Sequence, residues 1–182
     1  MSTNTHDCVT SATEYIATPQ LPYHYVGSGL GNVYLAGVKY WVCEECNQQA
    51  AEIPALKHLL AAIGRAIVEK QSGLTGAQVR YLRKRLKLRQ IDFAAMIGLT
   101  PQRLCTLESS GDTITIAEGR DKLVRLLYKD MSGDLKLKNA FSRGDQIQKW
   151  LTSIHGRGSN ERIIATWLEN HKWRVEAAPM AA

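Results

Sequence analysis

The period of the apolar positions changes along this chain. Over residues 22–42, Tyr23, Tyr25, Val33, Tyr34, Leu35, Val38, Tyr40, Trp41 and Val42 are aromatic, β-branched or aliphatic, and Gly27, Gly29, Gly31 and Gly37 punctuate them. That texture predicts short antiparallel strands. From residue 56 the spacing becomes helical, with Leu56, Leu59, Leu60, Ile63 and Ile67 forming one stripe over residues 56–70. Gln71, Ser72 and Gly73 then make a short linker about which two halves are expected to swing. A helix is predicted from near Gly76, because Thr75 and Gln78 are spaced as a capping box and Val79, Leu82 and Leu86 keep a stripe. Thr115 and Glu118 repeat the box before a helix to about Met131, which carries Leu123, Leu126 and Leu127. Ser142 and Asp145 are expected to open a helix with Ile147, Trp150, Leu151 and Ile154. Asn160 is expected to cap another with Ile163, Ile164, Trp167 and Leu168, after a loop at residues 156–159. Trp150 and Trp167 on such helices need burial, in this chain, a twin subunit or another protein, with this chain or a dimer favoured. Residues 1–20 carry little periodicity, and residues 175–182 read as disordered.

Residues 90–108, QIDFAAMIGLTPQRLCTLE, carry the densest information. Ala94 is small where two helix axes approach, and Gly98 stands four residues later, where a turn needs positive φ. Thr100 is a good N-cap and Pro101 suits the first helical position. With Leu104 and Leu107 committed to the inside, the helix that follows offers Gln102, Arg103 and Thr106 outward, side chains that read base edges. That is the layout of a helix-turn-helix recognition helix. Cys105 on it is expected to be small and buried. Upstream, RYLRKRLKLR at residues 80–89 has six basic residues in ten and no acid, which places Lys84, Arg85, Lys87 and Arg89 as phosphate contacts.

Bulk properties agree without deciding. The 182 residues have room for one medium domain or two small ones, and 45% hydrophobic with 22% charged residues is ordinary for a soluble protein. A net charge of +6 favours a polyanionic partner. The opening residues MSTNTHDCVT are no export signal and no long apolar run follows, so a cytoplasmic location is expected. In that compartment the four cysteines, two of them as Cys43-Glu-Glu-Cys46, point to metal or reduced thiols rather than to disulfides. No nucleophile, acid–base or phosphate-loop motif is present, so an enzyme is not expected.

Gln90, Ala94, Gly98, Leu104 and Leu107 stand at the marked positions of the lambda-repressor-like (XRE-type) helix-turn-helix family, which residues 90–108 resemble. The resemblance implies that Gln90 touches a phosphate, that Thr100, Pro101, Gln102, Arg103 and Thr106 belong to the groove-facing surface, and that Arg83 and Glu108 form a structural ion pair. On a wider scale, PYHYVGSGLGNVYLAGVKYWVCEEC, EIPALKHLLAAIGRAIVEK and LTGAQVRYLRKRLKLRQ occur in the order seen in the MqsA-type (YgiT-type zinc-finger) antitoxin and regulator family, which the chain resembles over about residues 21–131. That family carries a Cys-x-x-Cys pair in each half of its zinc site. Cys43 and Cys46 match one half; in the other only Cys8 is a candidate, with His6 as a poorly spaced substitute, and His24 reads as a packed strand residue. Zinc is thus a candidate cofactor with an incomplete ligand set, and an aromatic core holding without metal stays open beside it.

The expected fold class is α+β: a small zinc-ribbon-like antiparallel β domain with its linking helix (21–70) after a poorly ordered N-terminus (1–20), an all-α helix-turn-helix domain (74–131) and a helical C-terminal extension with a disordered tail (132–182). The expected function is a sequence-specific transcriptional regulator, a repressor acting as a homodimer on palindromic double-stranded DNA and regulating its own gene. The alternative is an antitoxin that neutralises a protein toxin through its N-terminal domain.

Overall fold

The computed structural model describes residues 12–133 and 161–179. The chain is α+β. Strands β1 (Ala12–Ile16), β2 (Tyr23–His24), β3 (Val33–Ala36), β4 (Lys39–Cys43) and β5 (Gln49–Ala51) come first. Helices α1 (Leu56–Glu69), α2 (Gly76–Arg85), α3 (Gln90–Met96), α4 (Pro101–Ser109) and α5 (Glu118–Met131) follow, and a hairpin of β6 (Glu161–Leu168) and β7 (Lys172–Pro179) comes last. Two sheets result. One is antiparallel, in the order β1-β4-β5; the other has the order β2-β3-β6-β7, with β3 and β6 parallel.

The strands correct three expectations. Residues 160–168 were expected to be helical, yet Ile163 and Ala165 are buried while Ile164 and Thr166 are half-buried, the period-2 pattern of a strand. β-Branched residues at 163, 164 and 166 favour that outcome, and the register Val33↔Ile163 with Leu35↔Ala165 places buried residues side by side across the sheet. The tail is likewise ordered through Pro179 as β7, and β1 begins at Ala12, within the N-terminal stretch to which the sequence assigned no structure. The helix expected over residues 142–154, with Trp150, lies outside the described residues. Trp167 and Trp173 pack at 5.1 Å between ring centroids, and the Trp173 Nε1 donates to the Pro54 carbonyl at 3.0 Å. These two indoles therefore pack within their own chain.

Helix α1 is shared. One side packs on β6 and β7, and the other meets α2 and α5. Leu59, Ile63 and Ile67 are fully buried, so a single apolar core runs from the sheets through α1 into the helices. Close approach is built in: a Cβ on Gly64 would stand 2.1 Å from the Tyr128 hydroxyl on α5. On the α2 side, the Tyr81 hydroxyl donates to the Leu60 carbonyl at 2.7 Å, and burial pushes that phenol's pKa up. Lys129 pairs with Glu69.

The segment after α1 is bonded to α5. Arg125 on α5 is 1% exposed, and its Nη1 donates to the carbonyls of Val68 (2.8 Å) and Lys70 (2.7 Å) while its Nη2 donates to that of Ser72 (2.7 Å). Its Nε donates to Asp121 at 2.7 Å, and the same carboxylate accepts from the Leu74 N–H at 2.7 Å. Where the sequence offered a linker about which the halves could swing, the carbonyls of Lys70 and Ser72 are held by one buried guanidinium. The predicted capping box at Thr75 and Gln78 forms, with bonds of 3.1 and 3.4 Å. The one predicted at Thr115 and Glu118 does not: Ala117 is the N-cap of α5, and Thr115 instead bridges to Thr75.

Removing one partner of a buried ion pair leaves the other uncompensated, typically at about 3–5 kcal/mol. Arg125→Met is accordingly expected to lower the unfolding free energy by about that amount in urea titrations, because Asp121 loses its cation and the carbonyls of Val68, Lys70 and Ser72 lose their donor at once.

Candidate nucleic-acid interface

The surface of interest is built around the turn between α3 and α4. Gly98 adopts φ +67°, and the Leu99 N–H returns to the Ala94 carbonyl at 2.8 Å. Thr100 caps α4 by accepting the Arg103 N–H at 3.3 Å, and Pro101 opens the helix without an N–H to satisfy. Leu104, Leu107 and Glu108 are buried. At the far end, α4 lies against the start of α2 so tightly that a Cβ on Gly76 would stand 1.8 Å from the Leu107 carbonyl oxygen.

A polar knot orients the three helices. Arg83 on α2 meets Glu108 on α4 through two bonds, Nε at 2.6 Å and Nη2 at 2.7 Å, and its Nη1 donates to the Leu88 carbonyl at 2.9 Å. The paired carboxylate holds the Arg83 pKa up. Gln90, which opens α3, donates its amide to the same carboxylate at 2.9 Å. Arg83 is thereby turned inward as an intramolecular partner of Glu108, and Gln90 is oriented from behind by that group.

Thr100, Pro101, Gln102, Arg103 and Thr106 are all exposed, grouped at the N-terminal half of α4. The Thr106 hydroxyl donates to the Gln102 carbonyl at 3.1 Å, leaving its oxygen to accept. Cys105, expected to be buried, is exposed as well. The reason is angular: residue 105 lies three positions after Gln102, on the outward side, whereas the inward side is filled by Leu104 and Leu107. Lys84 in the last turn of α2 and Lys87 and Arg89 between α2 and α3 are exposed. Arg89 pairs with Asp92 at 2.7 and 3.0 Å, which raises its own pKa and lowers that of the carboxyl. Such an open surface pair is readily exchanged for another anion. Arg85 departs from the row: it is half-buried and faces a cavity bounded by α1 and the end of α5.

The metal candidates are arranged differently. Cys43 is buried at the end of β4, Cys46 is exposed three residues on, and Asn47 at φ +57° closes the turn, its N–H bonded to the Cys43 carbonyl at 2.9 Å. Cys8 and His6 lie outside the described residues. His24 stacks on Tyr34 at 5.0 Å, and its Nε2 lies 2.9 Å from the Gly31 carbonyl oxygen. Among the described residues no group of three or more His, Cys, Asp or Glu side chains gathers in metal-binding geometry. Cys43 and Cys46 supply two thiols of the four ligands that a structural zinc takes. Nor is any described helix long and apolar enough to cross a membrane. No family model, curated protein or solved structure matches this chain.

The contact between α2 and α4 has no slack, because the atom that a Gly76 side chain would meet is backbone. Gly76→Ala is expected to destabilise the protein by about 1–3 kcal/mol or more, as overpacking does, and to lower the melting temperature measured by circular dichroism at 222 nm.

Proposed function

We propose that the chain is a sequence-specific DNA-binding regulator of transcription, with α3 and α4 as a helix-turn-helix and α4 as the helix that enters the major groove. The single observation that carries this is the outward grouping of Gln102, Arg103 and Thr106 at the start of a short helix whose opposite side is wholly committed to the core. Arg donates a bidentate pair to guanine and Gln does the same for adenine, while Thr accepts or donates and offers a methyl group. Lys84, Lys87 and Arg89 stand exposed in the same half of the molecule, where phosphates flanking a groove would be met. The Glu108 carboxylate behind Gln90 fixes that amide at the first position of α3, a setting that suits a backbone contact. A net charge of +6 supports association with a polyanion.

In this proposal two copies place their α4 helices about 34 Å apart, one turn of duplex, and read the half-sites of a two-fold operator as a repressor. The test is a selection of bound sequences from a random duplex library, followed by titration of the selected site by fluorescence anisotropy. A palindromic consensus is expected, and equal affinity for the selected site and random duplex would overturn the reading. Arg103→Ala is expected to lose about 1–3 kcal/mol of discrimination at one base pair. Lys84→Ala should weaken all duplexes alike and reduce the slope of log K against log salt by about one.

A further inference from the structure

Beside the α2–α3 turn lies a cavity of about 270 Å³ between α1, the end of α2 and the end of α5. Its lining contains Arg65, Arg85 and Lys87 together with the apolar Ala61, Leu86 and Met131, and no carboxylate stands among the described residues that line it. Arg85 is the distinctive member. Its Nε is shut off from solvent and meets no hydrogen-bond acceptor, unlike Arg83 and Arg125, whose guanidinium groups are bonded to a carboxylate and to backbone carbonyls. Lys87 at the rim sits at φ +58°, a conformation that L side chains adopt at a penalty.

A half-buried guanidinium whose Nε has no acceptor, with Lys87 beside it and no carboxylate among the described lining residues, is unfavourable unless something negative enters. We infer that this cavity is a binding site for a small polyanion, a phosphate ester or polycarboxylate with a short apolar portion, gripped by Arg85 and Lys87 and seated on Ala61, Leu86 and Met131. The planar fork of Arg85 suits two oxygens of one phosphate or carboxylate. The volume suits a metabolite-sized ligand rather than a polymer. The site lies three residues before Gln90, so occupancy would stiffen the turn from which α3 starts. Binding itself requires no DNA, and its failure would leave the proposed function standing.

The experiment uses the full chain without DNA, titrated by calorimetry with citrate and with inorganic phosphate at ionic strength held constant with sodium chloride. At least one probe is expected to bind saturably at one site per chain and to raise the melting temperature. Arg85→Gln should weaken that binding about tenfold or more and Arg85→Lys less, whereas Lys57→Gln, an exposed charge removed elsewhere on α1, should leave it unchanged. Without citrate or phosphate, Arg85→Gln is expected to melt no lower than the parent, because no bond is lost. The proposal is overturned if neither probe binds the parent saturably, if Arg85→Gln or Lys57→Gln behaves contrary to this, or if Arg85→Gln lowers the melting temperature in sodium chloride buffer free of citrate and phosphate.

Discussion

One buried guanidinium sets how the two halves of this molecule relate. Arg125 bonds to the carbonyls of Val68 in the last turn of α1 and of Lys70 and Ser72 in the α1–α2 connection, and its carboxylate partner Asp121 holds the Leu74 amide. The backbone of a connection that leaves a helix must satisfy its carbonyls somewhere, and here water is replaced by a fixed charge. The pair belongs to α5, so that helix, α1 and the entry to α2 are positioned by the same side chain. Helix α1 in turn packs on β6 and β7. The orientation of the sheet relative to α4 therefore follows from packing and from this grip, with little left to the composition of the connection itself.

The Arg83–Glu108–Gln90 group works on a smaller scale in the same manner. A carboxylate that is 4% exposed accepts from α2 and α3 at once, so the angle between those helices and α4 is bonded as well as packed. Because the inward face is so fully occupied, the outward one is left to whatever binds. Two arginines two residues apart, 83 and 85, consequently face different surroundings: one is satisfied by Glu108, the other lies beside a cavity with no acid among its described lining residues.

The helices were legible in the sequence because their signals are local. Thr75 with Gln78, Thr100 with Pro101, and the stripes at 59–63–67 and 104–107 each specify a helix within one or two turns, and each is present. The pairing of Arg83 with Glu108 was legible only through resemblance, since twenty-five residues separate them. The C-terminal hairpin was misread because Ile163, Ile164, Trp167 and Leu168 satisfy a helical spacing as well as a strand spacing; what selects the strand is β3, far away in sequence and invisible to any short window. Arg125 gave no sign of its role, for an Asp and an Arg four apart on a helix ordinarily form a surface pair. Arg85 was hidden among similar neighbours in a basic run, and the thiol pair at 43 and 46 carries no information about what else stands near it.

The parallel pairing of β3 with β6 has a kinetic corollary. Strands β2 and β3 cannot complete their sheet until β6 and β7 have emerged, whereas α2 to α5 pack on one another and on α1 and lie wholly between the two. Loop closure over so long a stretch is slow compared with helix formation. The helical half is then expected to be in place first on the nascent chain, with α1 supplying the apolar floor on which β6 and β7 later settle. Until they arrive, the edge of β3 that they will cover stays open to any other extended segment, including one from a second nascent chain.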